Sequence, residues 1–110
     1  MASEGFHEST ESLKPQTREM HRAIVSLIEE LEAVDWYQQR IDAADDDALR
    51  AILTHNRDEE KEHASMLLEW IRRHDPVFDG HLKQFLFTTA PITERGESEK
   101  PERKTSRWTG

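Results

Sequence analysis

The chain has 110 residues, with 15 Lys and Arg against 23 Asp and Glu, a formal charge of −8, and equal 35% shares of apolar and charged side chains. That length sets a ceiling of one small domain, and so few apolar residues close a private core poorly, which points to self-association. The absence of cysteine excludes disulfides, thiolate metal sites and thiol nucleophiles, while the acidic balance repels phosphate backbones and attracts cations, arguing against nucleic acid and toward metal.

Residues 1–14 are polar and aperiodic and read as a disordered N-terminal segment. They carry neither a basic region nor an apolar stretch, and no run in the chain approaches the roughly 18 apolar residues of a membrane span. The expectation is a cytoplasmic, soluble protein with no membrane or nucleic-acid partner. Pro15, followed by Thr17, Arg18 and Glu19, suits the first turn of a helix running to about Asp42. Asp45, Asp46 and Asp47 place negative charge at a second helix start, and Arg72, Arg73 and His74 place positive charge at its end, as the macrodipole prefers. The connection around Ala44 is short enough to force an antiparallel hairpin with arms of roughly 40 Å. Asp75 and Pro76 then cap and open a shorter third helix, whose Val77, Phe78, His81, Leu82, Phe85 and Leu86 keep helical spacing to about Phe87. Residues 94–110 read as a disordered polar tail ending near Arg107 and Trp108, so the ordered domain is expected over residues 15–93.

On the first helix a 3-4 spaced row passes through Met20, Ala23, Leu27, Glu30, Val34, Tyr37 and Ile41. On the second the matching row is Leu49, Leu53, Asn56, Glu60, His63, Leu67 and Trp70. Charged positions inside an apolar seam need partners, because an unpaired buried carboxylate costs several kcal/mol. A hairpin turning near Ala44 brings Glu30 within about one turn of both Glu60 and His63. Glu60 and His63, at i and i+3, project from one helix face, and oxygen with imidazole donors suits iron, manganese or zinc. Ferritin-like di-metal proteins use a Glu from each of two helices plus Glu-x-x-His from each of two others, and this chain carries half of that set. The bland reading of the same residues is an ion-pair cluster that fixes helix register.

Over roughly His21 to Thr93 the sequence resembles the encapsulated ferritins, small ferritin-like proteins carried inside encapsulin nanocompartments. The resemblance rests chiefly on Glu29-Glu30-Leu31-Glu32-Ala33-Val34-Asp35-Trp36-Tyr37 and His55-Asn56-Arg57-Asp58-Glu59-Glu60-Lys61-Glu62-His63-Ala64. It implies an all-α subunit, an antiparallel two-helix hairpin with a short C-terminal helix, that dimerises into a ferritin-like four-helix bundle. It further implies a di-iron ferroxidase centre at the dimer interface with Glu30, Glu60 and His63 as iron ligands, a ring of five dimers, and mineral stored in the encapsulin lumen. Glu29 and Glu32 match the family's carboxylates near an iron uptake path, with Trp36 and Tyr37 matching the aromatics beside them.

Each of those weaker assignments has a plainer counterpart. Glu29 and Glu32 fit a solvated helix face equally well. Tyr37 fits core packing with a hydroxyl partner, or a catalytic bond to a ligand. Trp36, in a row with Val25, Glu29 and Glu32 away from the Glu30 seam, is expected to be exposed and to mark a second interface. Glu4-Gly5-Phe6-His7 repeats the Glu-x-x-His spacing in an aperiodic segment and is set aside, and no role is assigned to His55, His74 or His81. Two other functions compete with an iron oxidase: a hairpin oligomer merely cross-linked by zinc or manganese, and a haemerythrin-like oxygen carrier, which needs more histidines than these rows supply. The tail shows no Leu/Gly-Ser-Leu type targeting peptide of the family, so a cut after Gly110 is expected, with co-expressed encapsulin forming empty shells.

Overall fold

The protein is described by a computed structural model, over residues 5–94. The expectations for Glu4 and for the tail with Arg107 and Trp108 lie outside the described residues. Among the described residues the elements in order are a 3-10 turn at Thr10–Ser12, then α1 (Pro15–Ala43), α2 (Asp47–His74) and α3 (Pro76–Phe85), with no strand. At 29 and 28 residues the two long helices are each about 40 Å in length, matching the hairpin read from the sequence. No helix among the described residues is long and apolar enough to cross a membrane.

Local chemistry accounts for each boundary. Pro15 occupies the first helical position after an extended Lys14, where its missing N–H costs nothing. Ahead of it Arg18 donates to the carbonyls of Thr10 and Leu13, at 3.1 and 2.9 Å, and holds the 3-10 turn against the start of α1. Phe6 stacks on His21 with ring centroids 4.3 Å apart. At the hairpin turn Asp46 accepts from the Leu49 amide at 2.8 Å, the N-cap of α2. Arg50 closes the same turn: its guanidinium donates to the carbonyls of Ile41 and Ala44, which are orphaned at the end of α1, and to Asp47.

The chain divides into two units at Trp70/Ile71, within α2. In the first, the seam expected from the sequence is the less exposed face of both helices. On the expected rows Ala23 and Ile41 are buried, and Met20, Leu27, Val34, Tyr37, Leu53 and Leu67 are partly covered, while Leu49 is exposed; Ala64, beside the second row, is buried. In the second, Asp75 accepts from the Phe78 amide at 2.9 Å and Pro76 opens α3, as expected. Asp79 binds Arg72 at 2.5 Å and Lys83 at 3.1 Å, and these cations, Arg72 first, hold its carboxyl below the usual range. The third helix ends at Phe85, two residues earlier than the apolar spacing suggests. Phe87 takes a left-handed φ of 59° that no helix can continue through.

Ile71 is the one large side chain among the described residues that is fully buried, while Ile24, Leu31, Trp36, Leu49, Ile52 and Met66 are exposed. A single chain therefore leaves much of its apolar surface in water.

Candidate metal centre

Midway along the hairpin the seam turns polar. Glu30 faces inward from α1, and Glu60 and His63, one turn apart, project from the facing side of α2. His63 Nδ1 lies 3.2 Å from Glu60 Oε1 and 3.5 Å from Glu30 Oε1. One ligand atom from each residue lies within 4.8 Å of the others, and among the described residues this is the one group of three or more His, Asp and Glu so arranged. The three side chains are partly covered: Glu60 is 23% exposed, Glu30 26% and His63 45%. The cluster is thus open along one side.

Its electrostatics follow from crowding two carboxylates on one imidazole. The Glu30 carboxyl is raised above its ordinary value, first by a hydrogen bond with Glu60 and then by loss of solvent. Glu60 is lowered, first by accepting that bond from Glu30 and also by His63. Crowding the two carboxyls together thus favours the charged form of Glu60 over that of Glu30. His63 is raised, chiefly by its bond to Glu60, so its imidazolium form is favoured where no metal competes. A divalent cation bound here would compete with these protons, because metal ligands bind deprotonated. Two carboxylates and an imidazole, with no sulfur, fit iron, manganese or zinc. Three donors from one chain leave further coordination positions to be filled from the open side.

The other candidates stand apart from this cluster. Tyr37 lies two turns along α1, its ring under the Arg40 guanidinium at 5.5 Å. Glu29 is exposed, Glu32 is half-covered and Trp36 is exposed as expected, at 49%. Within one chain Glu29 and Glu32 join no three-residue ligand group among the described residues. His55, left without a role in the sequence reading, pairs with Glu59 at 3.1 Å on the exposed flank of α2. Sequence reasoning also missed the cross-helix bond from Arg57 to Gln38 at 2.7 Å, whose partners are separated by 19 positions and share no motif.

A family profile described as EncFtn-like matches residues 5–89. An encapsulated ferritin-like protein of Rhodospirillum rubrum is 61% identical over 92 residues, covering 84% of this chain and 66% of that protein. The encapsulin nanocompartment cargo protein EncC of Myxococcus xanthus is 40% identical over 85 residues, 76% of this chain and 65% of its own. The match thus spans just under two thirds of each of these relatives. The crystal structure of a protein from Nitrosomonas europaea superposes with a TM-score of 0.78 at 66% identity, covering 80% of this chain and 97% of that one.

Proposed function

The chain belongs to the EncFtn-like family, and on that premise we propose that it is a ferroxidase whose di-iron centre is assembled from two copies of the chain. The observation that carries this is the half-set of donors: one Glu30 and one Glu60/His63 pair, clustered on an open face. A ferritin-type centre takes two of each, which a two-fold partner supplies. The same operation covers the polar seam and the apolar side chains around it, giving a four-helix bundle from two hairpins.

In this reading iron is the substrate. Glu30, Glu60 and His63 of both chains would hold two Fe(II) ions, offering carboxylate and imidazole donors. The carboxylates favour the higher charge of Fe(III), and the donors bind it in their deprotonated forms. Two Fe(II) give up one electron each, and with two protons these reduce dioxygen to hydrogen peroxide, or peroxide to water. Glu29 and Glu32, beside Trp36, form the uptake path, and Tyr37 bonds to a ligand across the assembled bundle.

Two helices enclose no room for mineral, so ferric iron is passed on and stored elsewhere. The names of the Rhodospirillum and Myxococcus relatives support an encapsulin shell as that store, with this chain as cargo inside a cytoplasmic nanocompartment. The dimers close into a decameric ring, as the family resemblance implies. Anaerobic loading with Fe(II) followed by oxygen tests the reading. Oxidation faster than in buffer supports a ferroxidase; binding without oxidation assigns the metal to cross-linking of a structural hairpin oligomer.

A further inference from the structure

Resting on the reading of Glu30, Glu60 and His63 as iron ligands, we infer that Arg57 and Gln38 are positioning residues that lock the axial register of α1 against α2 at the metal centre. Three observations converge on this pair. Arg57 lies one turn before Glu60 on α2, its side chain 19% exposed, far less than the 56% of its neighbour Asp58. Its Nη1 crosses to Gln38 Oε1 on α1 at 2.7 Å. Both partners are held on their other sides. Arg57 Nε and Nη2 donate to Asp58 Oδ1 at 3.0 and 2.9 Å, and Gln38 Nε2 donates to Asp42 Oδ1 at 3.0 Å. The amide is thereby oriented with its oxygen toward Arg57, and the guanidinium with its free edge toward Gln38. The result is a continuous chain Asp42, Gln38, Arg57, Asp58 spanning the hairpin.

The metal centre needs such a device because apolar packing is non-directional. Leu27, Val34, Leu53 and Leu67, which flank the cluster, are only partly covered, so their packing constrains the axial register less than a fully buried core would. A slide of one residue, about 1.5 Å, is a large fraction of the 3.5 Å between Glu30 and His63. At the turn Arg50 anchors the helix ends, but the cluster lies ten residues beyond it on α2, at Glu60. Arg57 and Gln38 form the cross-helix bond between that anchor and the ligands. Lysine cannot replace Arg57, since a point charge on a flexible stem lacks the fork that grips Asp58 and Gln38 together.

Co(II) alone, titrated by its visible absorption, reads the donor geometry without any turnover. Gln38→Leu and Arg57→Met should each weaken Co(II) binding about tenfold, the lower end of what supporting partners of metal ligands give. Far-UV helix content should stay that of the parent, because Gln38 is exposed and neither change touches the apolar seam. A chain carrying Gln38→Glu and Asp42→Asn together, which keeps an acceptor for Arg57 and exchanges donor and acceptor with residue 42, should bind Co(II) to within about twofold of the parent. Parental Co(II) affinity in both Gln38→Leu and Arg57→Met overturns the inference, as does failure of the combined Gln38→Glu, Asp42→Asn chain to rescue. Failure of the underlying reading has a different signature, a Glu30→Ala chain that binds Co(II) as the parent does, and it overturns the inference as well.

Discussion

Replacing Glu30 with glutamine separates what holds the hairpin together from what holds metal. The Glu30 carboxyl is raised above its ordinary value, first by its hydrogen bond with Glu60, and a carboxamide of the same shape keeps a donor toward Glu60 without the charge. Without metal, Glu30→Gln should therefore match the parent to within about 0.5 kcal/mol, as surface-accessible neutral changes do. With metal the two part. At 100 times its dissociation constant a ligand bound only by the folded state stabilises by about 2.7 kcal/mol. For a domain of this size, at about 4–8 °C per kcal/mol, that is an upward shift on the order of 10–20 °C. Glu30→Gln should lose most of it, since the change removes an anionic donor and, across a two-fold interface, removes it twice. The assay is thermal melting with and without Mn(II), which binds such donors without being oxidised by air, at one fixed protein concentration. A variant that keeps the full metal shift, or that loses more than about 2 kcal/mol in the absence of metal, would refute the reasoning.

Three other outcomes follow from the same structure. His63 binds its proton more tightly folded than unfolded, so its contribution is complete below histidine's ordinary value of about 6.5 and fades as pH rises through the folded value. Denaturant melts of the metal-free chain should lose stability above that pH, and His63→Gln should flatten the profile. Asp75→Ala removes the side-chain acceptor from the Phe78 amide and should cost about 1 kcal/mol, seen as faster hydrogen exchange at Phe78 and the amides beside it. Trp36→Ala and Glu32→Ala should disturb assembly beyond the dimer, or iron uptake, while Mn(II) affinity at Glu30, Glu60 and His63 stays parental; an unchanged mass distribution and oxidation rate in the double variant would return this face to ordinary surface.

What could be read from sequence was what repeats locally. Asp75 and Pro76 carry a helix start in two adjacent residues, and the start of α3 stands where they put it. The seam through Ala23, Leu27, Glu30, Val34 and Ile41 was legible because a helical period marks one face. A hairpin of known turn then brings Glu30 level with Glu60 and His63 by arithmetic alone. The end of α3 was less legible, since apolar spacing continues through Leu86 while the backbone at Phe87 turns left-handed. Long polar side chains were illegible for a related reason. Arg50 reaching back to Ile41 and Ala44, and Arg57 crossing to Gln38, bond across distances in sequence that no periodicity encodes. The 3-10 turn at Thr10–Ser12 is too short to show a period, and it is held by Arg18 from the following helix.

The central claim is that one chain holds half a site. Native mass spectrometry of the chain loaded anaerobically with Fe(II) tests it most directly. The account predicts a dimer, or a multiple of it, carrying two irons per two chains, with both the metal and the association lost together in His63→Ala. A monomer that retains two irons, or a His63→Ala protein that binds and oxidises iron as the parent does, would contradict it.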